Sequence, residues 1–329
     1  MRKSLLAILR CPVTRSQLEL IDAKFNGDDV EEGWLVSREG ARYAITRGIP
    51  RFVPTDNYAT GFGLQWNHFR RTQLDSFSGH PITHDRFYSF TGFTPRELRG
   101  KRVLDVGCGA GRFAEIALAA GADVVALDYS SAIDACRANH AYKPQLDVVQ
   151  GDIYALPFEF ESFDFVYCLG VLQHTPDVRS AFAALPPMLK PGAKLAIDLY
   201  PKLLRNALWP KYWLRPITKR MEAGKLFSLV QRMVPLLLPI SLAVGRLPVV
   251  GKQLRKFVPV VNYEGVLPLS PAQVQEWAVL DTFDMLAPAY DNPQSVEIVR
   301  QWFNAAGLVN VLVTRMGFVI GRGERKAQP

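Results

Sequence analysis

The sequence predicts an α/β fold, a largely parallel sheet covered on both faces, and three observations carry that prediction. The stretch VLDVGCGAGRF (103–113) reads as a buried strand, a tight glycine turn and the start of a helix. Beyond it, the apolar runs DVVALD (123–128), LDVVQGD (146–152), FDFVYCLG (163–170) and KLAIDLY (194–200) alternate with helical stretches, the pattern of strands joined by crossover helices. Near the C-terminus a helix over 295–306, ended by Gly307, leads into LVNVLVTR (308–315) and GFVIGRG (317–323), a close strand pair.

In the glycine turn, Val103, Leu104 and Val106 supply the strand, while Gly107, Gly109 and Gly111 remove Cβ atoms that would keep a ligand off the backbone. Asp105 stands two positions before the first glycine, and the helix from Arg112 offers free N–H groups and the positive end of its dipole. The spacing is G-x-G-x-G and not the G-x-G-x-x-G of a dinucleotide fold. Asp128, twenty-one residues after Gly107, closes the second strand. Its carboxylate can accept both hydroxyls of a ribose lying across the strand ends, or it can cap the helix that follows Tyr129-Ser130-Ser131.

These residues resemble motif I and the acidic strand ends of the class I S-adenosylmethionine (SAM) methyltransferases, of the type-11 kind. The resemblance covers about 100–200 and 293–323 and implies a seven-stranded Rossmann-like sheet whose last strand is antiparallel. It implies SAM as cofactor, with Asp105, Gly107, Cys108, Gly109 and Gly111 at the turn. Asp128 and Tyr129 are then placed at the ribose, Asp152 and Ile153 at the adenine, and Cys168 and Leu169 at the end of the fourth strand. Residues after that strand face the transferred methyl group in the family, so His174 in VLQHTPD (171–177) is the candidate base, with a structural role as the other reading. Tyr200 ends the fifth strand at the same rim and is the second catalytic candidate.

The remaining elements follow in chain order. Residues 1–54 read as a separate small β-rich unit. Its frame, LLAILRCPVTRSQLEL followed by YAITRGIPRFVP, resembles the zinc-ribbon-like Trm112-type domain. Metal-binding forms of that domain need two Cys-x-x-Cys pairs, whereas here Cys11 stands alone with Thr14 in its partner's place. A degenerate ribbon without zinc is expected, held by Leu20, Trp34, Tyr43, Ile45, Ile49 and Phe52, and no metal site is expected elsewhere. Residues 55–99 read as a helical lid and linker, because Trp66, Phe69, Leu74 and Phe77 fall mostly on one face of a helix within 61–77. In the resembled family a lid arginine can pair with the methionine carboxylate; Arg71 is the candidate, with a plain surface charge as the alternative.

Residues 201–292 read as a basic, amphipathic, mostly helical insertion and substrate cap. Over 202–256 twelve Lys/Arg meet one acid, Glu222, a net of +11; the chain as a whole carries +8, which leaves −3 for the rest. Trp209, Tyr212, Trp213 and Phe227 lie there, beside the uncharged run MVPLLLPISLAVG (233–245). Those thirteen residues with two prolines are expected to be too short to span a bilayer. Basic residues interleaved with aromatics suit an anionic membrane surface or RNA phosphates, and Leu236-Leu237-Leu238 favours the membrane or an amphiphilic acceptor. The segment 280–293 reads as a loop carrying Asp281, Asp284 and Tyr290 toward the acceptor.

The expected protein is a SAM-dependent methyltransferase acting on an O- or N-nucleophile of a small or amphiphilic acceptor, lipid-linked or saccharide. An RNA methyltransferase and a non-catalytic SAM-binding partner protein are the alternative readings. Four cysteines without paired spacing and a Met1-Arg2-Lys3 start with no long apolar run predict a cytoplasmic protein, peripheral to the inner face of the membrane.

Overall fold

The computed structural model describes residues 1–54, 57–140, 143–203 and 210–327; Trp209 lies outside them. The strands are β1 (Leu18–Asn26), β2 (Asp29–Ser37), β3 (Arg42–Thr46), β4 (Ile49–Arg51), β5 (Arg102–Val106), β6 (Asp123–Asp128), β7 (Leu146–Gln150), β8 (Phe163–Cys168), β9 (Leu189–Leu199), β10 (Leu308–Met316) and β11 (Phe318–Arg325). All eleven form one mixed sheet in the order β1-β2-β3-β4-β7-β6-β5-β8-β9-β11-β10. Strands β5 to β9 pair in parallel, and β11 runs antiparallel to both β9 and β10. From β5 the chain moves outward to β6 and β7, then returns to the other side of β5 for β8 and β9. That reversal opens a crevice beyond the C-terminal ends of β5 and β8.

Local sequence accounts for the central elements. Every residue of β7 is buried, as a strand covered on both faces requires. The Arg112–Ala119 helix turns Phe113, Ala114, Ile116 and Ala117 inward at helical spacing. The Val296–Ala305 helix begins where Ser295 Oγ accepts the Ile298 N–H (3.3 Å), and it buries Val299 and Phe303.

Tertiary contacts overturn several sequence expectations. The first 54 residues are not a separate unit, and the sheet has eleven strands instead of seven. Open N–H and C=O groups would line the outer edge of β7, and β4 covers them. Arg51 pairs with Gln150, the Phe52 N–H donates to the Gln150 carbonyl (2.8 Å), and the Arg51 guanidinium reaches Asp134 (2.8 Å). Arg2 adds ion pairs to Asp147 (2.6 Å) and Asp123 (2.7 Å), and Met1, Leu5 and Leu9 share a core with Val149 and Phe158.

The lid helix is Thr60–His68 and stops short of Leu74 and Phe77. Beyond it the chain is held by long-range bonds: Trp277 Nε1–H donates to the Thr72 carbonyl (3.1 Å) and Gln73 Nε2–H to Asp281 (3.2 Å). Residues 280–286 are the end of the Pro271–Leu286 helix, not a loop; a Ser270–Gln273 capping box starts that helix. Lys190, Pro191 and Gly192 lie inside the irregular start of β9.

The apolar run 233–245 belongs to a longer helix, Ala223–Gly245, which accommodates Pro235 and Pro239. Its 23 residues hold an 18-residue stretch of mean hydropathy 1.7, which by length and composition is enough to cross a membrane, so the expectation of shortness fails. In this fold Leu226, Val230, Val234 and Leu238 pack against Val274, Ala278 and Phe283 of the neighbouring helix.

Candidate cofactor and acceptor site

A cavity of about 830 Å³ occupies the crevice beyond β5 and β8. The glycine turn forms its floor. Gly107 has φ +78°, and a Cβ there would stand 2.4 Å from Val171 Cγ2, so this glycine answers to the loop after β8. A Cβ on Gly109 (φ +54°) would come within 3.3 Å of the Trp66 indole, so that glycine lets the lid helix close over the turn. Cys108 also lines the cavity, whereas Gly111 does not.

Asp128 lines the cavity at the end of β6. Its Oδ2 accepts the Gly109 N–H (2.9 Å), and its Oδ1 accepts both the N–H and the hydroxyl of Ser130 (2.8 and 2.7 Å). These bonds hold the turn before the next helix, and Ser130 Oγ, not Asp128, accepts the N–H of Ala132 at the start of that helix (3.1 Å). Oδ2, with one donor, retains a lone pair for a ligand hydroxyl. Burial holds the carboxyl above its usual range. Tyr129 lines the same wall and stacks on Tyr58 with ring centroids 5.0 Å apart; Ile153 and Leu169 line it further along.

Four other sequence-predicted residues lie off the cavity surface. Asp152 caps its own turn, with Oδ1 accepting the Tyr154 N–H (2.9 Å). Cys168 is fully buried. Arg71 is exposed and lies over the Phe77 ring (4.6 Å). The guanidinium groups on the cavity near the lid are instead those of Arg70, Arg86 and Arg112. Asp105 is fully buried behind the turn, and its Oδ2 has no partner among the described residues. Burial raises its pKa to about 8.

That raised value fixes a sign. The carboxyl is protonated in the folded protein and ionised in the unfolded chain between about pH 4 and pH 8, so its contribution to stability is lost as pH rises through that window. An Asp105→Asn variant is expected to lose less stability than wild type between pH 5 and pH 8, by on the order of 3 kcal/mol. Urea midpoints measured across that range check it; parallel curves for the two proteins contradict it.

Both catalytic candidates line the cavity. His174 Nδ1 lies 3.1 Å from the Tyr290 carbonyl, an acceptor only, so Nδ1 carries the proton and Nε2 the lone pair. Tyr290 thus contributes its backbone; its side chain is not part of the lining. Tyr200 stands edge-on to His174 at 5.5 Å. Burial, with Asp284 and Asp291 nearby, pushes the Tyr200 phenol well above its ordinary value, which leaves it a donor at neutral pH.

Sequence reasoning missed the ion pair opposite the turn. Arg86 donates to Asp198 (2.7 Å), a fully buried carboxylate that also accepts the Gly170 N–H. The signal was there in KLAIDLY: an acid inside an apolar strand needs a partner. Arg112 was missed as well. Its Nη1–H donates to Gln73 Oε1, and burial lowers its pKa to about 10, leaving it charged.

The lining fits SAM. It offers a glycine-rich backbone turn, a carboxylate with spare acceptor capacity, apolar and aromatic walls, and cationic guanidinium groups near the first turn of a helix. Residues 104–197 match the family model described as a methyltransferase domain. That domain is of the SAM-dependent methyltransferase class, and S-adenosyl-L-methionine is its cofactor.

Among curated proteins, the chain is 32% identical over 150 residues to the sterol 24-C-methyltransferase of Saccharomyces cerevisiae, across 44% of this chain and 38% of that one. It is 37% identical over 100 residues to the ubiquinone biosynthesis O-methyltransferase of Coxiella burnetii, across 30% of this chain and 43% of that one. The chain therefore spans less than half the length of these relatives. Magnesium protoporphyrin IX methyltransferase from Synechocystis, solved with bound SAH, aligns at 16% identity over 82% of this chain and 97% of that one, with a TM-score of 0.43.

Proposed function

We propose that the protein transfers a methyl group from SAM to an oxygen or nitrogen of a small amphiphilic acceptor presented at an anionic membrane surface. One observation carries this reading. The Pro210–Thr218 helix turns Lys211, Tyr212 and Arg215 into the cavity and leaves Trp213 (59% exposed) and Ile217 (69%) outside. The wall of the acceptor space is thereby also an apolar outer surface. It is continuous in sequence with the exposed Leu236, Ile240 and Val249, and with the exposed cations Lys219, Arg220, Lys225, Arg232 and Arg246. Each such cation near an anionic bilayer contributes about 1 kcal/mol, and the apolar side chains add burial in the interface.

The relatives' names support a small lipophilic acceptor and not one acceptor atom: a sterol methylated at carbon 24, an O-methylation of ubiquinone biosynthesis and, from Renibacterium salmoninarum, a demethylmenaquinone methyltransferase. Within this reading SAM lies with its ribose on Asp128, its adenine by Ile153 and Leu169, and its carboxylate toward Arg112. The protein works at the cytoplasmic face of the membrane. The N-terminal strands, with their Trm112-like frame, act as a packing module against β7.

Isotope-labelled SAM incubated with an extract of the source cells tests the acceptor class. Label in the organic phase supports the proposal; label in RNA replaces it with RNA methylation, and cofactor binding without any transfer replaces it with a non-catalytic role. Separately, wild type is expected to sediment with phosphatidylserine-containing vesicles. A Leu236→Glu/Ile240→Glu variant should bind them about tenfold or more weakly. Equal binding by both proteins would remove the membrane from the proposal.

A further inference from the structure

Three carboxylates line the acceptor wall, two of them, Asp281 and Asp284, expected from the sequence as acceptor contacts. Asp281 and Asp284 project from one face of the Pro271–Leu286 helix into the cavity, and Asp291 joins them from the segment beyond. Asp281 is held on both oxygens: Oδ1 accepts Gln73 Nε2–H (3.2 Å), and Oδ2 accepts the Tyr263 hydroxyl. Gln73 in turn accepts from Arg112 at the start of the helix after the glycine turn. One hydrogen-bonded chain therefore runs from the cofactor turn through the lid segment to a carboxylate of the acceptor wall.

Asp291 supplies an independent sign of a ligand. Its side chain is 4% exposed, Lys211 holds its Oδ2 (2.9 Å), and its Oδ1 has no partner among the described residues. A buried carboxylate oxygen without a donor, in a residue that lines the cavity, keeps acceptor capacity for a ligand group.

We infer that Asp281 is the catalytic base of the methyl transfer, and that the acceptor carries two O–H or N–H groups, one over Asp281 and one bonded to Asp291 Oδ1. This rests on the methyltransferase reading above and assigns the proton step within it. As the acceptor oxygen or nitrogen forms its bond to the methyl carbon, the carbon–sulfur bond breaks and its electron pair stays on sulfur, giving the neutral thioether. The acceptor's proton passes to a carboxylate oxygen of Asp281, which becomes the carboxylic acid and later releases that proton to water.

The surroundings tune the group to this task. Burial raises the Asp281 carboxyl to about pH 7, with Asp284 raising it further, while the Tyr263 hydrogen bond and the Arg112 and Arg86 charges lower it. The phenols of Tyr263 and Tyr200 beside these carboxylates are both pushed well above their ordinary value by burial and stay neutral, and Lys211 holds Asp291.

The test uses the full chain and labelled SAM on whichever cell-extract fraction wild type methylates. Asp281→Asn is expected to lower kcat by about 100-fold or more. It should leave S-adenosylhomocysteine affinity by calorimetry within about twofold, and it should abolish the acid limb of the wild-type pH profile near pH 7. Asp281→Glu should recover part of the rate and keep the limb. An infrared titration gives a readout without turnover: wild type should show a carboxylic C=O band vanishing near pH 7 that Asp281→Asn lacks.

If Asp281→Asn turns over normally while His174→Gln loses both rate and pH limb, the base is His174 and the inference is overturned. Absence of the titrating band also overturns it. Label appearing in RNA would instead revise the acceptor class and leave the Asp281 comparison standing; no transfer to any fraction by wild type removes both readings.

Discussion

An Asp128→Ala variant is expected to bind S-adenosylhomocysteine about 100-fold more weakly than wild type while remaining folded. The carboxylate does two things at once. It ties the glycine turn to the end of β6 through the Gly109 N–H, and it presents an acceptor oxygen to the cavity. Hydrogen bonds to a charged group contribute about 1.5–3 kcal/mol each, so losing a ribose contact and slackening the turn together reach the expected loss. Asp128→Asn, which keeps one oxygen, should fall between the two. Calorimetric titration with S-adenosylhomocysteine measures all three proteins. Unchanged affinity in a folded Asp128→Ala protein would place the ribose elsewhere and leave Asp128 as a hydrogen-bond acceptor for Ser130.

The largest effect on stability is expected at Arg86. Asp198 is wholly buried and has Arg86 as its only ion-pair partner among the described residues. Removing the guanidinium leaves an uncompensated buried charge, which costs about 3–5 kcal/mol. For a protein of this size that lowers Tm by roughly 4–7 °C in a calorimetric scan. The Arg86 side chain also lies over the Phe90 and Phe318 rings (5.1 and 4.6 Å), so part of the loss is packing. The double variant Arg86→Gln/Asp198→Asn keeps hydrogen-bonding groups without the charges and should recover at least half of the loss. A double variant no better than Arg86→Ala would show that packing, and not the buried charge, dominates.

Many of the residues that line the cavity were readable in sequence. Gly107, Gly109 and Asp128 announce themselves because a turn that brings backbone to a ligand tolerates few residue types. Ile153, Leu169, His174 and Tyr200 follow from their places at strand ends, since successive crossovers put every parallel strand's C-terminal end on one rim. The reading failed where a residue's role depends on what lies far away in the chain. Arg70, Arg71, Arg86 and Arg112 are indistinguishable as sequence; which of them face the cavity depends on where the lid helix stops, and that is decided by Thr72 and Gln73 bonding to a helix some 200 residues later. Asp105 looked like a ligand and is an interior carboxyl behind the turn.

The chain's own order of apolar runs, glycines and strand-end acids determined the parallel α/β core and the glycine turn at the rim of its crevice, because those signals are local and repeat with the period of the element that bears them. Only the tertiary structure decided that the N-terminal strands extend that sheet, through Arg51 and Phe52 on Gln150. It alone gathered Asp281, Asp284, Tyr263 and Gln73 into one hydrogen-bonded wall. A strand edge or a cavity wall is completed by whichever distant segment satisfies its polar groups, and no periodicity records that choice.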